Sequence, residues 1–476
     1  MNGKLKIAAI AVLLSCNTWA MEFPYVLQDP LLTRPTVLDL GTTMPGDGEA
    51  LACASINSKS QSVKDPMALG TAVDMALCHN PQVKSAWAAI KVQAGALGEA
   101  RAAYVPTLNA TFSKLRNETR YTDNPFSDTS NSGKTKYVNL TWRLFDFGSR
   151  SANNESASQM LTAALAAHNA ALQKVLTSVV GAYFDAMTAQ ASLTARSQAV
   201  DLASATLQTT QRREARGVAA VSDTLQAAVA LAKAQLTLSR AQGDAQKTRS
   251  VLMYAMGLPL DTQLVLPDEH AATQEVMVQD LQEWFNDAQT RHPAIAAARA
   301  QLAASKAKVL AVRADGLPTL DYIHNHYQNG YPNQGLSSTN SKVNTVGFTL
   351  TVPLFEGFAR TYKVRGAQAQ TEQSEAQLQD TELQILMEVV KAHADAHSSF
   401  ENLHASQQLL SATTAAVQSS QKRYDKGAAD ILELLSTQSA LADAQQERLR
   451  CLSDWRSARL RLMSSAGVMG RDILSP

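Results

Sequence analysis

The chain has 476 residues, a formal net charge of +1, 6% aromatic residues and four cysteines. Balanced charge argues against the clustered Lys/Arg surface of a nucleic-acid partner. Sparse Gly, Pro and aromatics beside abundant Ala, Gln, Ser and Leu favour long helices over a compact mixed domain.

Residues 1–20 read as a signal peptide. Lys4 and Lys6 supply positive charge, Ile7 to Leu14 form an apolar run, and Thr18-Trp19-Ala20 resembles a small-residue cleavage site. Leu13-Leu14-Ser15-Cys16 also fits a lipoprotein box with Cys16 acylated, so both fates of this segment stand open. No later stretch holds 18 consecutive apolar residues, so no bilayer-spanning helix is expected. Residues 21–66 form an N-terminal extension. After export, Cys53, Cys78 and Cys451 stay in an oxidising compartment. Cys53 and Cys78 flank a helix start, and a disulfide between them would close a loop of about 26 residues, worth roughly 3 kcal/mol in the chain-entropy model. Cys451 stands alone in a helical pattern, as a buried apolar residue does.

From Asn80 onward the chain is written twice. Pro81 matches Pro293, and the "PTL" at Pro106 matches the "PTL" at Pro318, both 212 positions apart. "LFDFGSR" from Leu144 answers "LFEGFAR" from Leu354, and "VVGAYFDA" from Val179 answers "VVKAHADA" from Val389. Gly217 and Gly427, 210 apart, sit in "RREARGVAAVSD" and "KRYDKGAADILE". The two repeats are expected at 67–277 and 278–469, with a short tail at 470–476.

Within each repeat a helical pattern after the Pro gives way to alternation. Leu108, Ala110 and Phe112 lie on one face of a strand, with Asn109, Thr111 and Ser113 on the other. The polar run Arg116 to Lys136 reads as a long loop, and alternation resumes with Val138, Leu140 and Trp142. The second repeat gives a strand from Thr319, a loop from Gln328 to Lys342, and a strand bearing Val346, Phe348, Leu350 and Val352. Such strands of about ten residues are the unit of an outer-membrane β-barrel; a soluble sheet with one wet face shows the same alternation. Trp142 suits an aromatic membrane girdle or plain strand packing.

A single helix is then expected from about Phe147 to Gln211, on the order of 95 Å long at 1.5 Å per residue. Leu165, Leu172, Val179, Ala186, Leu193, Val200 and Leu207 keep a seven-residue step, answered by Val389, Ala396, Leu403, Leu410 and Val417. Sustained heptads mean coiled-coil packing. Gly217 and Gly427 end these helices, because Gly takes φ > 0 without strain, and shorter helices return over about 223–256 and 433–466. No Walker, G-x-S-x-G or H-E-x-x-H sequence occurs, so neither enzyme nor cofactor is expected. The pairs His393/His397 and His324/His326 lack an acid or Cys constellation and are assigned to a wet helix face and to pore or loop surface rather than to metal.

These marks together resemble the TolC family of outer-membrane channel-tunnels, over about Met67 to Met469. The carrying motifs are "LGTAVDMALCHNPQV", the paired "PTL" strands, "LFDFG" and "LFEGF", "AYFDA" and the two Gly tips. The resemblance implies an α/β channel-tunnel: a trimeric twelve-stranded outer-membrane β-barrel, four strands per chain, continuous with a coiled-coil α-helical barrel. A trimer also follows from closure, since open edges are not tolerated in lipid and eight strands leave an interior filled by side chains. Implied partners are a homotrimer, outer-membrane lipid, a periplasmic adaptor protein and an inner-membrane ABC or proton-driven transporter, with no nucleic acid. The extension with Cys53 and "ALCHNP" is similar to CyaE-like channels of type I toxin secretion; multidrug or metal efflux is the alternative, and a periplasmic coiled-coil scaffold a third.

The resemblance also implies roles at the tips. Gly217, Val218, Ala219, Gly427, Ala428 and Ala429 are expected to dock the adaptor. Tyr424, three before the second Gly, and Asp223, six after the first, are expected to close the aperture through a phenol–carboxylate hydrogen bond worth about 1.5–3 kcal/mol. Helix N-capping is the alternative for Asp223. The family's second link is missing, because Ala429 and Ser222 stand at its positions, and of two aperture acids only Glu433 is kept, Ser436 replacing the other. A weakly held closed state follows, with Glu433 as the main cation-attracting ring.

Overall fold

The computed structural model describes residues 66–120, 122–123, 129–260, 262, 264–267, 280–329 and 341–469. The expected signal peptide, nearly all of the extension with Cys53, and the tail at 470–476 lie outside the described residues. In chain order the elements are α1 (Leu69–His79), α2 (Pro81–Ala102), β1 (Thr107–Thr119), β2 (Thr129–Phe145), α3 (Ser149–Ala215), α4 (Val221–Met256), α5 (Leu281–Arg291), α6 (Pro293–Ala314), β3 (Thr319–Gln328), β4 (Lys342–Thr351), α7 (Ala359–Asp425) and α8 (Ile431–Ser465). They form two compact units. One holds Ile90–Ala164 and Ala298–Gln377; the other holds Leu165–Ala297, Leu378 onward and the described residues before Ile90.

The first unit is built on one antiparallel sheet in the order β1-β2-β3-β4, in which β2–β3 pairing joins the two repeats. Its register puts Leu108, Leu140, His324 and Val346 in one cross-strand row, and Asn109, Asn139, Asn325 and Thr345 in the next. Even-numbered positions therefore share the apolar face. That face is bare: Leu108 is 66% exposed, Phe112 71% and Phe348 70%. The polar face is the better covered, with Thr135, Asn325 and Tyr327 buried. On it Tyr137 stacks on Tyr327 at 4.7 Å and Arg143 forks onto Asp321 at 2.9 and 3.2 Å.

Two expectations change here. The polar run from Arg116 to Lys136 is mostly strand, not loop: β1 and β2 stay paired out to Thr119↔Thr129. Ladder bonds are made by backbone and ignore side-chain polarity, so a hairpin can outrun its apolar stripe. His324 and His326 are not pore or loop surface. They sit on the apolar face, and a ring nitrogen of His326 meets the side-chain oxygen of Asn344.

The strand-to-helix corners explain "LFDFGSR" and "LFEGFAR". Phe147 and Gly148 both take positive φ, as do Gly357 and Phe358. Arg150 then donates to the carbonyls of Ala103, Arg143 and Leu144 and pairs with Asp146 at 2.8 Å. Its counterpart Arg360 donates to Gly316 and Arg313 carbonyls at 2.7 and 2.8 Å. Trp142 donates its indole N–H to the Tyr104 carbonyl at 2.9 Å. Arg360 thus takes up carbonyls at the C-terminal end of α6, and Arg150 ties the Ala103 carbonyl just past α2 to the end of β2.

In the second unit the seven-residue step is the buried seam only in its middle; Leu165, Leu193, Val200 and Leu207 are half-buried, and beyond Ala186 the buried residues of α3 are Ser192, Ala203, Thr206 and Thr210. Leu172, Val179 and Ala186 are buried on α3; on α7, Val389, Ala392, Ala396, Leu403 and Ser406 are buried at alternating spacings of three and four or a whole heptad. Polar side chains join α3 to α8 through Thr177–Ser464, Ser192–Gln446 and Gln438–Thr206 hydrogen bonds, and Gln173 reaches the Gly467 carbonyl just beyond α8. Cys451 is buried and free. The short helices α1 and α5 were not anticipated as separate elements; His79-Asn80 and Arg291-His292 break the pattern before Pro81 and Pro293, which sit at helix N1 as Pro prefers.

These breaks are also where the repeat closes on itself. Asn80 Oδ1 accepts from Gln82 N–H at 2.8 Å, and His292 Nδ1 accepts from Ala294 N–H at 3.2 Å, one cap in two chemistries. Against them lie Gly257 (φ 71°) and Gly467 (φ 73°), each ending a helix with left-handed backbone. A Cβ there would stand 2.8 Å from the His79 carbonyl carbon and 2.8 Å from the His292 Cα. Gly257→Ala or Gly467→Ala is therefore expected to destabilise by roughly 2–5 kcal/mol, from left-handed strain plus overpacking, read as a lower Tm of the purified protein. Burial holds the His292 imidazole down to about 4, from 6.5. The unfolded chain then binds the extra proton, so stability is full above about pH 6.5 and falls as pH drops toward 4. His292→Asn should flatten that acid limb in a Tm-versus-pH series.

Candidate functional site

The two tips are one backbone device used twice. At the first, Val218 N–H donates to Arg213 C=O at 3.0 Å and Gly217 N–H to Glu214 C=O at 2.8 Å; at the second, Ala428 N–H donates to Arg423 C=O at 2.8 Å and Gly427 N–H to Tyr424 C=O at 3.0 Å. These are Schellman closures, and they require the left-handed φ of 74° at Gly217 and 73° at Gly427. A Cβ at either Gly would meet nothing within 4 Å. The tips are open surface, with Val218 68% exposed and Gly427 and Ala428 exposed; Ala219 and Ala429 are half-buried. Bare apolar side chains continue along the first turns of the returning helices at Val221, Leu225, Val229 and Leu432.

Side chains at matching positions behave differently. In the second tip Arg423 pairs with Glu433 at 2.8 Å and also donates to the Ala428 carbonyl at 3.3 Å, closing the hairpin on itself. Both side chains are substantially exposed, so this pair adds little stability, but it gives Glu433 a counter-ion. In the first tip the hairpin is closed instead by Thr224 Oγ1 donating to Glu214. Arg213, the counterpart of Arg423, does not pair with Asp223. It reaches the second tip, where its Nη1 donates to the Tyr424 carbonyl at 3.2 Å and its guanidinium lies 4.7 Å from the ring centroid. Such a cation–π contact is worth about 1 kcal/mol.

Tyr424 is buried with Ile431 and Leu434 under this arginine. Asp223 accepts only from Ser222 Oγ at 3.3 Å. Within the chain, Tyr424 and Asp223 make no hydrogen bond among the described residues. Nor does Asp223 cap its helix through its side chain: the N-cap is Ala220, and Asp223 lies in the first turn, where an acid favours the dipole. Asp223 has no ion pair among the described residues, whereas Glu433 is paired with Arg423. The feature missed from sequence is Arg213. Its only signal was its placement four before Gly217, shared with Arg423.

Among the described residues no group of three or more His, Cys, Asp or Glu could hold a metal. No described helix is long and apolar enough to cross a membrane. Cys78 lies on α1, but Cys53 lies outside the described residues, and with it the expected bridge.

A duplicated chain of four antiparallel strands and two long helical hairpins, with a bare apolar sheet face, defines an outer-membrane channel chain. The sequence profile described as "Outer membrane efflux protein" matches residues 72–258 and 284–468, one match in each repeat. The chain belongs to the outer membrane efflux protein family and is a protein of the outer membrane that spans the periplasm. It is 35% identical over 412 residues to Protein CyaE of Bordetella pertussis, covering 86% of each chain. It is 26% identical over 419 residues to the alkaline protease secretion protein AprF of Pseudomonas aeruginosa, covering 85% of this chain and 86% of that one. Among solved structures, the fold is similar to the outer-membrane channel OprN at TM-score 0.73 and 21% identity, covering 85% of this chain and 90% of that one. It is similar also to VceC of Vibrio cholerae at TM-score 0.72 and 22% identity, covering 84% and 96%.

Proposed function

We propose that this chain forms, as a homotrimer, the outer-membrane exit duct of a tripartite export system of the type I secretion kind. The carrying observation is the sheet's inverted polarity: its apolar face is bare, and what burial the sheet has lies on its polar face at Thr135, Asn325 and Tyr327, the arrangement suited to lipid outside and water inside. The sheet ends in open edges at β1 and β4. Lipid does not tolerate them, and further copies of the chain pair them. Three copies supply twelve strands and leave a water-filled interior. Identity to CyaE and to a protease secretion protein over most of the chain supports a protein cargo. Small-molecule or metal efflux is the second reading, favoured by the family's own description. Deleting the gene separates them: a missing extracellular protein supports secretion, whereas unchanged secretion with raised drug or metal sensitivity overturns it in favour of efflux.

A duct needs a drive, and no nucleotide motif occurs in the chain. The tips at Gly217, Val218, Ala219, Gly427, Ala428 and Ala429 dock a periplasmic adaptor that recruits an inner-membrane ABC or proton-driven transporter. Their exposure and the apolar residues beside them support this. Gly217→Val or Gly427→Val strains a left-handed turn with no neighbour to clash with, so export should fall while trimers persist in the outer membrane. Normal export by both would remove the tips from the docking surface.

The same tips gate the duct. Arg213 ties one hairpin to the other through Tyr424, while Asp223 and Glu433 are the acids at the aperture, Asp223 uncompensated and Glu433 half-neutralised by Arg423. Arg213→Ala and Tyr424→Ala should raise single-channel conductance several-fold, and Tyr424→Phe, which keeps ring and carbonyl, should not. Asp223→Asn should weaken cation preference more than Glu433→Gln does. A large rise with Tyr424→Phe would instead assign the closure to the phenol.

A further inference from the structure

The apolar face of the sheet does not end in neutral residues. Proceeding from the corners where strands meet helices toward the hairpin ends, its successive rows hold Leu320 with Leu350, then Trp142, Tyr322 and Phe348, then Leu108, Leu140 and Val346. Two rows further, Phe112, Lys136, Gln328 and Lys342 share one cross-strand row, and in the next Lys114 stands directly opposite Lys134. All four lysines occupy even positions, so they point to the side that bears Leu108 and Phe348. All four are exposed, and among the described residues none has an ion-pair partner.

Like charges directly opposite each other across antiparallel strands repel. Here a third lysine, Lys136, lies two residues from Lys134 on the same face, about 7 Å along the strand. Further along the same face Glu118 is taken up by Arg116 at 2.7 Å, so no described acid is paired with the lysines. A surface of this kind fits an external anion. Its place beside an apolar stripe says which: an anion attached to the lipid that covers the stripe. A free anion in solution would gain nothing from the apolar continuation, whereas an acyl chain against Leu140 and Val346 with its headgroup beyond them meets both halves.

We propose that Lys114, Lys134, Lys136 and Lys342 form a binding surface for phosphate-bearing lipid headgroups in the leaflet at the hairpin end of the sheet. This rests on the outer-membrane placement above. Ammonium–phosphate contacts are charge-assisted and strengthen beside a low-dielectric layer. They turn the repulsion of the Lys114–Lys134 pair into a shared bridge.

The probe is diphosphorylated lipid A, added to full-length trimer in neutral detergent, against the same lipid with both phosphates removed, with inorganic phosphate as a third arm. Tm and bound-lipid mass are read on the wild type and on a Lys114→Gln/Lys134→Gln/Lys136→Gln/Lys342→Gln variant. The phosphorylated lipid should raise the wild-type Tm and bind about tenfold or more tighter than the dephosphorylated one, a preference the variant loses. Inorganic phosphate should shift neither protein. Equal binding of both lipids by the wild type, an unchanged preference in the variant, or the same shift with inorganic phosphate would overturn the surface. A second check uses Lys114→Gln alone: without lipid its Tm should match or exceed wild type, and a fall would show that protein contacts hold the pair. Conductance of the same preparations keeps the two ideas apart. Wild-type trimers that conduct but ignore the phosphates overturn the lysine surface alone, and trimers that bind the lipid without conducting overturn the channel reading alone.

Discussion

A strand edge cannot be left open in hydrocarbon, and the rest of this molecule depends on that constraint. The four strands pair completely with one another and end at β1 and β4. Their side chains place Leu108, Phe112 and Phe348 where a soluble protein would place polar groups. A soluble sheet answers exposed apolar area by covering it with a helix or a second sheet. Here the burial falls instead on the polar face, at Thr135, Asn325 and Tyr327, beside an Asn and Thr row, a stacked tyrosine pair and an Arg143–Asp321 fork. Such a face is at home around water. Closure by further copies satisfies both demands, because it pairs the edges and separates the two faces into lipid and lumen.

The large periodicities of the chain are legible in its sequence, since each is a sum over many residues. Heptads name the buried seam from Leu172 to Ala186 and from Val389 to Leu403, and Gly217 and Gly427 mark reversals that few other residues permit. The strands are legible wherever apolar and polar residues alternate. Legibility stops where backbone alone decides. Ser130 to Gly133 carry no hydrophobic period, yet they pair with Leu115 to Glu118 because the ladder started by Leu108 and Leu140 continues. Parity has the same effect on His324 and His326: on either side of Asn325 they read as wet, but the register assigns them to the face of Leu140 and Val346.

At the tips the turn was readable and the contacts were not. Arg213 and Arg423 occupy matching positions, and nothing local distinguishes an arginine that pairs with its own hairpin from one that leaves it. The difference comes from what surrounds each. Arg423 has Glu433 within reach, one methylene longer than the Asp223 that faces Arg213. Arg213 has instead an aromatic platform in the other hairpin.

That platform follows from the divergence of the two repeats. The first hairpin closes with a polar pair, Glu214 and Thr224; the second puts Tyr424 and Leu434 at the same two positions and closes with a small apolar cluster. Had the second copy kept Glu and Thr, the ring under Arg213 would be absent and the hairpins would lose this contact at their ends, keeping only those further along, such as Gln438–Thr206. Duplication supplies two backbones of equal length and matching turns, which is what lets the tips lie level. Substitution at one position in the second copy then supplies the contact between them at the tips. The join is a guanidinium on a ring and one carbonyl, worth little more than a few times thermal energy. That size suits the gating role proposed for the tips, since a docking protein could displace such a contact with a modest share of its own binding energy, whereas a buried ion pair would cost several kcal/mol to break.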